Sequence, residues 1–188
     1  MKVVHVKDIE QREACLARLC AEVYGQQAGL TPLVLFAGTR RVLFPQEAAR
    51  LLALVNNQGA PQALALLVLD EVGEGMTVRL SCTLSGDIEA RKRLIKELSL
   101  KAPLRVEVDA PDEEALYHAS GVTRWFDGAD NRRIGLSARH PARDAAELTD
   151  TLSFDEQAIL RRFKHDPKSF EEDKKRFVEG LAGFPETL

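Results

Sequence analysis

Three thiols, four imidazoles and two phenols are the side chains of this 188-residue chain best suited to nucleophilic, metal-binding or proton-transfer chemistry. Cys15, Cys20 and Cys82 form no C-x-x-C pair, and the nearest two are five residues apart. Structural zinc sites bring ligands at spacings of about two to four residues. Five residues turn a helix through roughly 140°, so Cys15 and Cys20 do not face one target. His5, His118, His140 and His165 are scattered along the chain and lend them no support. The thiols therefore read as buried or incidental, and no metal is expected. A Walker A loop, a Rossmann glycine triplet, a G-x-S-x-G elbow and an H-E-x-x-H pair are all missing. Two stretches remain. One is Tyr117-His118-Ala119-Ser120-Gly121-Val122, whose phenol is either a proton donor or a half-buried helix tyrosine with its ring packed inward. The other is the turn Ser85-Gly86-Asp87 opening onto Ile88, where Asp87 can serve as a helix cap with no ligand involved.

The elements that position these residues follow from apolar periodicity and turn chemistry. Residues 2–7 alternate as a strand, and Asp8 with Gln11 opens a helix that Gly25 can close. Residues 33–37 and 41–44 read as two short strands around Gly38-Thr39. Pro45 suits the first turn of a second helix with the stripe Ala48, Leu51, Leu52 and Val55. The apolar runs 63–71 and 76–84, on either side of Gly73-Glu74-Gly75, read as a β-hairpin. A helix over 88–100, a strand over 104–108, a helix over 111–120 closed by Gly121, and a last strand over 132–138 complete the succession. The fold class is α/β or mixed α+β, with helices alternating with the strands of a mixed sheet.

The succession over 76–138, with Tyr117, Gly121 and Val122 spaced as Tyr-x-x-x-Gly-apolar and Trp125-Phe126-Asp127-Gly128 before the last strand, resembles the C-terminal half of the GNAT acetyltransferase superfamily. The opening strand and helix suit the start of that family. The resemblance implies a GNAT-like domain over 1–145, with a central twisted mixed sheet flanked by helices. In that family two adjacent parallel strands splay apart and the pantetheine arm of acetyl-CoA, the cosubstrate, pairs with the exposed edge. Here those strands are 76–84 and 104–108. The CoA pyrophosphate would lie on the start of the next helix, where free N–H groups and the helix dipole favour an anion. That makes Ser85, Gly86, Asp87 and Ile88 the cofactor-binding residues, with Arg91, Lys92 and Arg93 adding charge. The family pattern there is Gln or Arg, two residues, Gly, one residue, then Gly or Ala. This chain has Thr83, Gly86 and Ile88 at those places, and Asp87 adds a carboxylate, so the loop is degenerate. By the same resemblance Tyr117 is the catalytic general acid that protonates the departing thiolate. The acceptor, a small-molecule or protein amine, must also lose a proton, and Asp70 and Glu71 at a strand end are candidate bases; His118 points away from Tyr117 on the helix. The alternative function is a non-catalytic interaction module of this fold that has lost CoA binding.

Composition narrows the surroundings. Net charge is −3, and the clusters Arg91-Lys92-Arg93, Arg132-Arg133 and Arg161-Arg162 lie among acids, so no nucleic-acid partner is expected. The longest apolar run, 63–69, is far shorter than the roughly 20 residues of a spanning helix. No membrane association is expected, and the location expected is cytoplasmic. Residues 149–188 read as a C-terminal helical extension, with a capping box at Ser153–Glu156 and a second start at Asp166-Pro167. Phe163, Phe170, Phe177 and Phe184 recur every seven residues, a near-continuous aromatic stripe. That stripe can pack on its own domain, make a homodimer contact or meet a separate partner. Burial is expected for the first three.

Overall fold

The computed structural model describes residues 1–84 and 86–188. Its strands are β1 (Lys2–His5), β2 (Ala49–Val55), β3 (Pro61–Leu69), β4 (Met76–Thr83), β5 (Leu104–Val108), β6 (Val122–Asp127) and β7 (Arg133–Ser137). Its helices are α1 (Ile9–Tyr24), α2 (Thr31–Gly38), α3 (Ile88–Lys101), α4 (Pro111–Ala119), α5 (Glu156–His165) and α6 (Pro167–Ala182). The strands form one mixed sheet in the order β1-β2-β3-β4-β5-β7-β6, in which, among the described residues, only the β4–β5 pair is parallel. Among the described residues no helix is long and apolar enough to cross a membrane.

Two expectations are overturned. Residues 33–37 and 41–44 are not strands but the body of α2 and the π-helical stretch Thr39–Leu43 that continues it. Pro32 stands in the first turn of α2, and nearly every residue of the helix is buried. A helix that is apolar all round shows no 3.6-residue period, so a short run of this kind cannot be told from a strand by pattern. Conversely, the expected helix after Pro45 is β2. Leu51, Ala53 and Val55 enter one core cluster while Leu52 and Leu54 enter the other. A central strand covered on both faces reads as a continuous apolar run, and its Leu and Ala carry helix propensity that the sheet overrides. The strand β6, at one edge of the sheet, was not separately expected. The β3–β4 hairpin, α3, β5, α4 and β7 lie where the pattern put them.

The sheet separates two cores. On one face α1 and α2 cover Leu51, Leu64, Leu66 and Leu80; on the other α3 and α4 cover Leu54, Leu67, Val78 and Val106. Val78 and Leu80 ought to share a face, since side chains alternate with period two. They do not, because β4 carries an extra residue: Leu66 pairs with Leu80 and Leu67 with Val78, leaving Arg79 without an opposite number. Such a bulge bends and twists the strand that carries it.

The tail folds back on the first face. Asp155 and Asp166 cap α5 and α6 through Ala158 and Ser169 N–H groups, and α6 lies along α1 with Gly180 against Ala17. Phe163 is buried and Phe170, Phe177 and Phe184 are partly buried against the same core cluster. Phe177 meets Phe36 edge-on at 5.4 Å and Phe163 meets Phe170 at 5.3 Å. The stripe thus covers apolar surface of its own chain. Asp173, fully buried on α6, accepts from Arg40 at 2.6 Å and from Arg41 at 3.1 Å, which ties the tail to the π-helical stretch.

Candidate active site

The seam between β4 and β5 shapes the site. The two strands pair only at Met76–Leu104 and Thr77–Arg105, and β4 bulges immediately afterwards at Arg79. From there they part, and the cleft between them, about 550 Å³, is lined by both strands, the end of α1, the start of α3 and one side of α4. Parted strands leave backbone N–H and C=O groups facing the gap without a ladder partner, a template for an extended ligand.

Tyr117 enters this cleft from α4. Its ring is buried and its hydroxyl lies 3.1 Å from Ser81 Oγ on β4. Arg91, from the second turn of α3, donates through Nη2 to the same hydroxyl at 3.3 Å and through Nε to Ser81 at 2.8 Å. Glu113, one turn before Tyr117 on α4, grips the guanidinium with two bonds of 3.0 and 2.7 Å. The four side chains form one network joining β4, α3 and α4. Gly121, four residues beyond Tyr117, has φ +101°, and a Cβ there would run into Ser99 Oγ on α3. The glycine lets α3 and α4 close together behind the phenol. His118 is exposed and lies off the site, as its position on the helix implied.

The expected pyrophosphate end is less hospitable. Ser85 lies outside the described residues. Gly86, at φ +77°, has open space where a side chain would stand. Asp87 caps α3 by accepting from the Glu89 N–H at 3.0 Å, and Thr83 Oγ1 donates to the Asp87 carbonyl at 2.6 Å. Ile88 is half exposed. The carboxylates of Asp87 and Glu89 thus stand in the first turn of α3. Of the cations expected to offset them, Lys92 pairs with Glu89 at 3.0 Å, while Arg91 turns to Glu113 and leaves Asp87 to its capping bond. An extended arm fits the strand edges; a phosphate at α3 would rest on backbone donors beside two acids.

Asp70 is not placed to act as base in the cleft. It sits at the paired end of the sheet, buried, with its carboxylate accepting from the Glu74 N–H at 3.0 Å and facing His140 across Gly75. Glu71 lines a separate groove with Arg105 and Asp150. The cleft is acidic from other sources: Glu22, Glu107, Asp109 and Glu113 line it against Arg79 and Arg91. Arg79 pairs with Glu156 at 3.4 Å. Three of these lining acids carry a basic partner: Glu22 pairs with Arg18 at 2.7 Å, Glu107 with Arg105 at 3.2 Å and Glu113 with Arg91 at 2.7 Å. Burial pushes the thiols of Cys15, Cys20 and Cys82 up to about 12, so none is a ready nucleophile. Ser81, Arg91 and Glu113 had no signal in the sequence as a unit, because they meet only when three elements pack.

No family profile matches the chain, and no curated protein matches it in sequence. Solved structures do. The aminoglycoside 6'-N-acetyltransferase from Enterococcus faecium superposes with a TM-score of 0.50 at 10% identity, over 77% of this chain and 100% of that one. The spermidine N-acetyltransferase from Vibrio cholerae in complex with CoA and spermine gives 0.45 at 12% identity, over 74% and 96%. A nucleotide-linked sugar GNAT gives 0.47 at 11%, over 71% and 84%. The first of these likenesses shows the fold alone, a mixed α/β, GNAT-like one, and the helices α5 and α6 follow its strands in this chain.

Proposed function

We propose that this protein transfers an acetyl group from acetyl-CoA to an amine, with residues 1–145 as the acyltransferase domain, 149–188 as its helical extension and Tyr117 as general acid. The observation that carries this reading is the Tyr117 hydroxyl at the parting of β4 and β5. An acyl thioester laid along those edges brings its sulfur beside a phenol, and proton donation to the leaving thiolate is what a phenol there can supply. Gly86, Asp87 and Ile88, with Ser85 preceding them, are the proposed contacts for the diphosphate. Calorimetric titration with acetyl-CoA tests the reading: saturable binding is expected, and Tyr117→Phe should then lower kcat by roughly a hundredfold while leaving affinity nearly unchanged.

A second reading rests on the carboxylates of Asp87 and Glu89 at the start of α3. If they repel the diphosphate outright, the domain is a non-catalytic interaction module of the same fold. Absence of binding at millimolar acetyl-CoA decides for it.

A further inference from the structure

Arg91 is the best-anchored cation in the cleft, and the anchor is not a ligand. Its side chain is only 14% exposed, its guanidinium carbon lies 5.5 Å from the Tyr117 ring centroid, and its nitrogens are divided between Glu113, Ser81 and the Tyr117 hydroxyl. A salt bridge serving only to join α3 to α4 would need the carboxylate alone. The extra bonds to Ser81 and to the phenol fix the hydroxyl in place and put a permanent positive charge against it.

We propose that Arg91 is the positioning residue for Tyr117: anchored by Glu113, it holds the hydroxyl toward the gap and stabilises the phenolate that proton donation leaves behind. Its chemical purpose rests on the acyl-transfer reading above. In that reaction the acceptor ammonium first gives one proton to solvent, its nitrogen then bonds to the thioester carbonyl carbon, and the C–S bond breaks with its electron pair on sulfur. The Tyr117 proton passes to that sulfur, and the second proton given up by the acceptor nitrogen returns to the phenolate through solvent. The negative charge on Tyr117 exists only between those two transfers, and Arg91 touches the atom that bears it.

The test does not depend on turnover. With Tyr24→Phe leaving Tyr117 as the one tyrosine, incorporation of 3,5-difluorotyrosine brings its ionisation toward neutral pH, where the fold can be checked by circular dichroism. The phenolate absorbance is then titrated. Arg91→Gln should move the midpoint up by roughly one pH unit or more, as expected for losing an opposite charge within hydrogen-bond reach. Arg91→Lys should restore part of that shift. Glu113→Gln removes a negative charge while leaving the cation, so its midpoint should not rise. An unchanged midpoint in Arg91→Gln, or equal rises in Arg91→Gln and Glu113→Gln, would mean the network only braces two helices and would overturn the proposal. With acetyl-CoA, Arg91→Gln should lower kcat about tenfold with KM little changed. If acetyl-CoA does not bind at all, the acyl-transfer reading fails, while the titration still decides whether Arg91 governs the phenol.

Discussion

Asp87 is asked to do two things that conflict. As the cap of α3 it satisfies the Glu89 N–H, yet its charge stands where a diphosphate would come to rest. Asparagine caps a helix about as well as aspartate, so Asp87→Asn separates the roles. Stability should stay within about 0.5 kcal/mol by urea denaturation, and acetyl-CoA should bind several-fold more tightly, the scale of roughly 1 kcal/mol for one charge at a helix start. Equal affinity in parent and variant would place the bound phosphates away from Asp87. At this scale Tyr117 stands out in the sequence because Tyr-x-x-x-Gly is a local spacing at the end of one helix. It did not reveal Arg91, Glu113 or Ser81 as the phenol's companions: they lie 26, 4 and 36 residues from Tyr117, and the nearest, Glu113, looks like any solvated acid of a first turn. Asp70 misled for a related reason. A carboxylate at a strand end looks available for catalysis until the neighbouring elements show which end of the sheet it occupies.

The elements differ in how plainly they declare themselves. Those with a solvent face or a cap, such as α1, α3, α4 and the tail pair, show their period and their Asp or Pro starts. Buried ones, α2 and β2, have lost the polar half of the pattern, and the same Leu and Ala letters serve for either. The tail illustrates what holds an amphipathic pair in place. Its phenylalanines provide the adhesion, but the register comes from Asp173, buried against Arg40 and Arg41 with side-chain exposures of 1%, 15% and 20%. Asp173→Asn would leave two mostly buried guanidiniums facing a neutral amide, with Arg40 keeping Glu13 at 3.4 Å and Arg41 keeping Glu172 at 4.0 Å. Because each cation retains a second acid, the loss should fall short of the roughly 3 kcal/mol of a fully uncompensated buried charge, and the urea midpoint should still fall measurably. A variant as stable as the parent would show that the aromatic contacts alone position α6.

For the molecule as a whole, His140 gives stability a pH dependence with a definite sign. The Ala142 N–H donates to its Nδ1 at 3.1 Å, which keeps the ring proton on Nε2. Burial first, then the nearby charge of Arg124, lowers its pKa from the ordinary 6.5, with Asp70 pulling the other way and Arg105 adding to the lowering. Below 6.5 the unfolded chain therefore binds a proton that the folded chain refuses. The stability tied to neutral His140 is fully present above that pH and drains away as pH falls through the unfolded value toward the lowered folded one. His140→Asn keeps an acceptor for the Ala142 N–H and has no proton to gain. Melting temperature followed from pH 8 to about pH 5 should fall less steeply in this variant than in the parent, and parallel curves would assign the acid sensitivity to other groups.

The segment leading into the tail crosses the narrow end of the seam. Thr151 bridges to Asp70 beside β3 and meets the Thr77 hydroxyl of β4 at 2.7 Å, while the Thr149 carbonyl accepts from Arg105 of β5 at 2.7 Å. The sheet is in this sense a clothes-peg. Its jaws are the far ends of β4 and β5, its pivot is two residue pairs, and a short stitch of chain is wound across the pivot. Prising the jaws apart to admit a thicker occupant would pull on that stitch. The same stitch continues into α5 and α6, which are clamped to α1 and α2. The stitch thus joins the pivot of the gap to the helical layer on the opposite face, although no residue of α6 lines the gap itself.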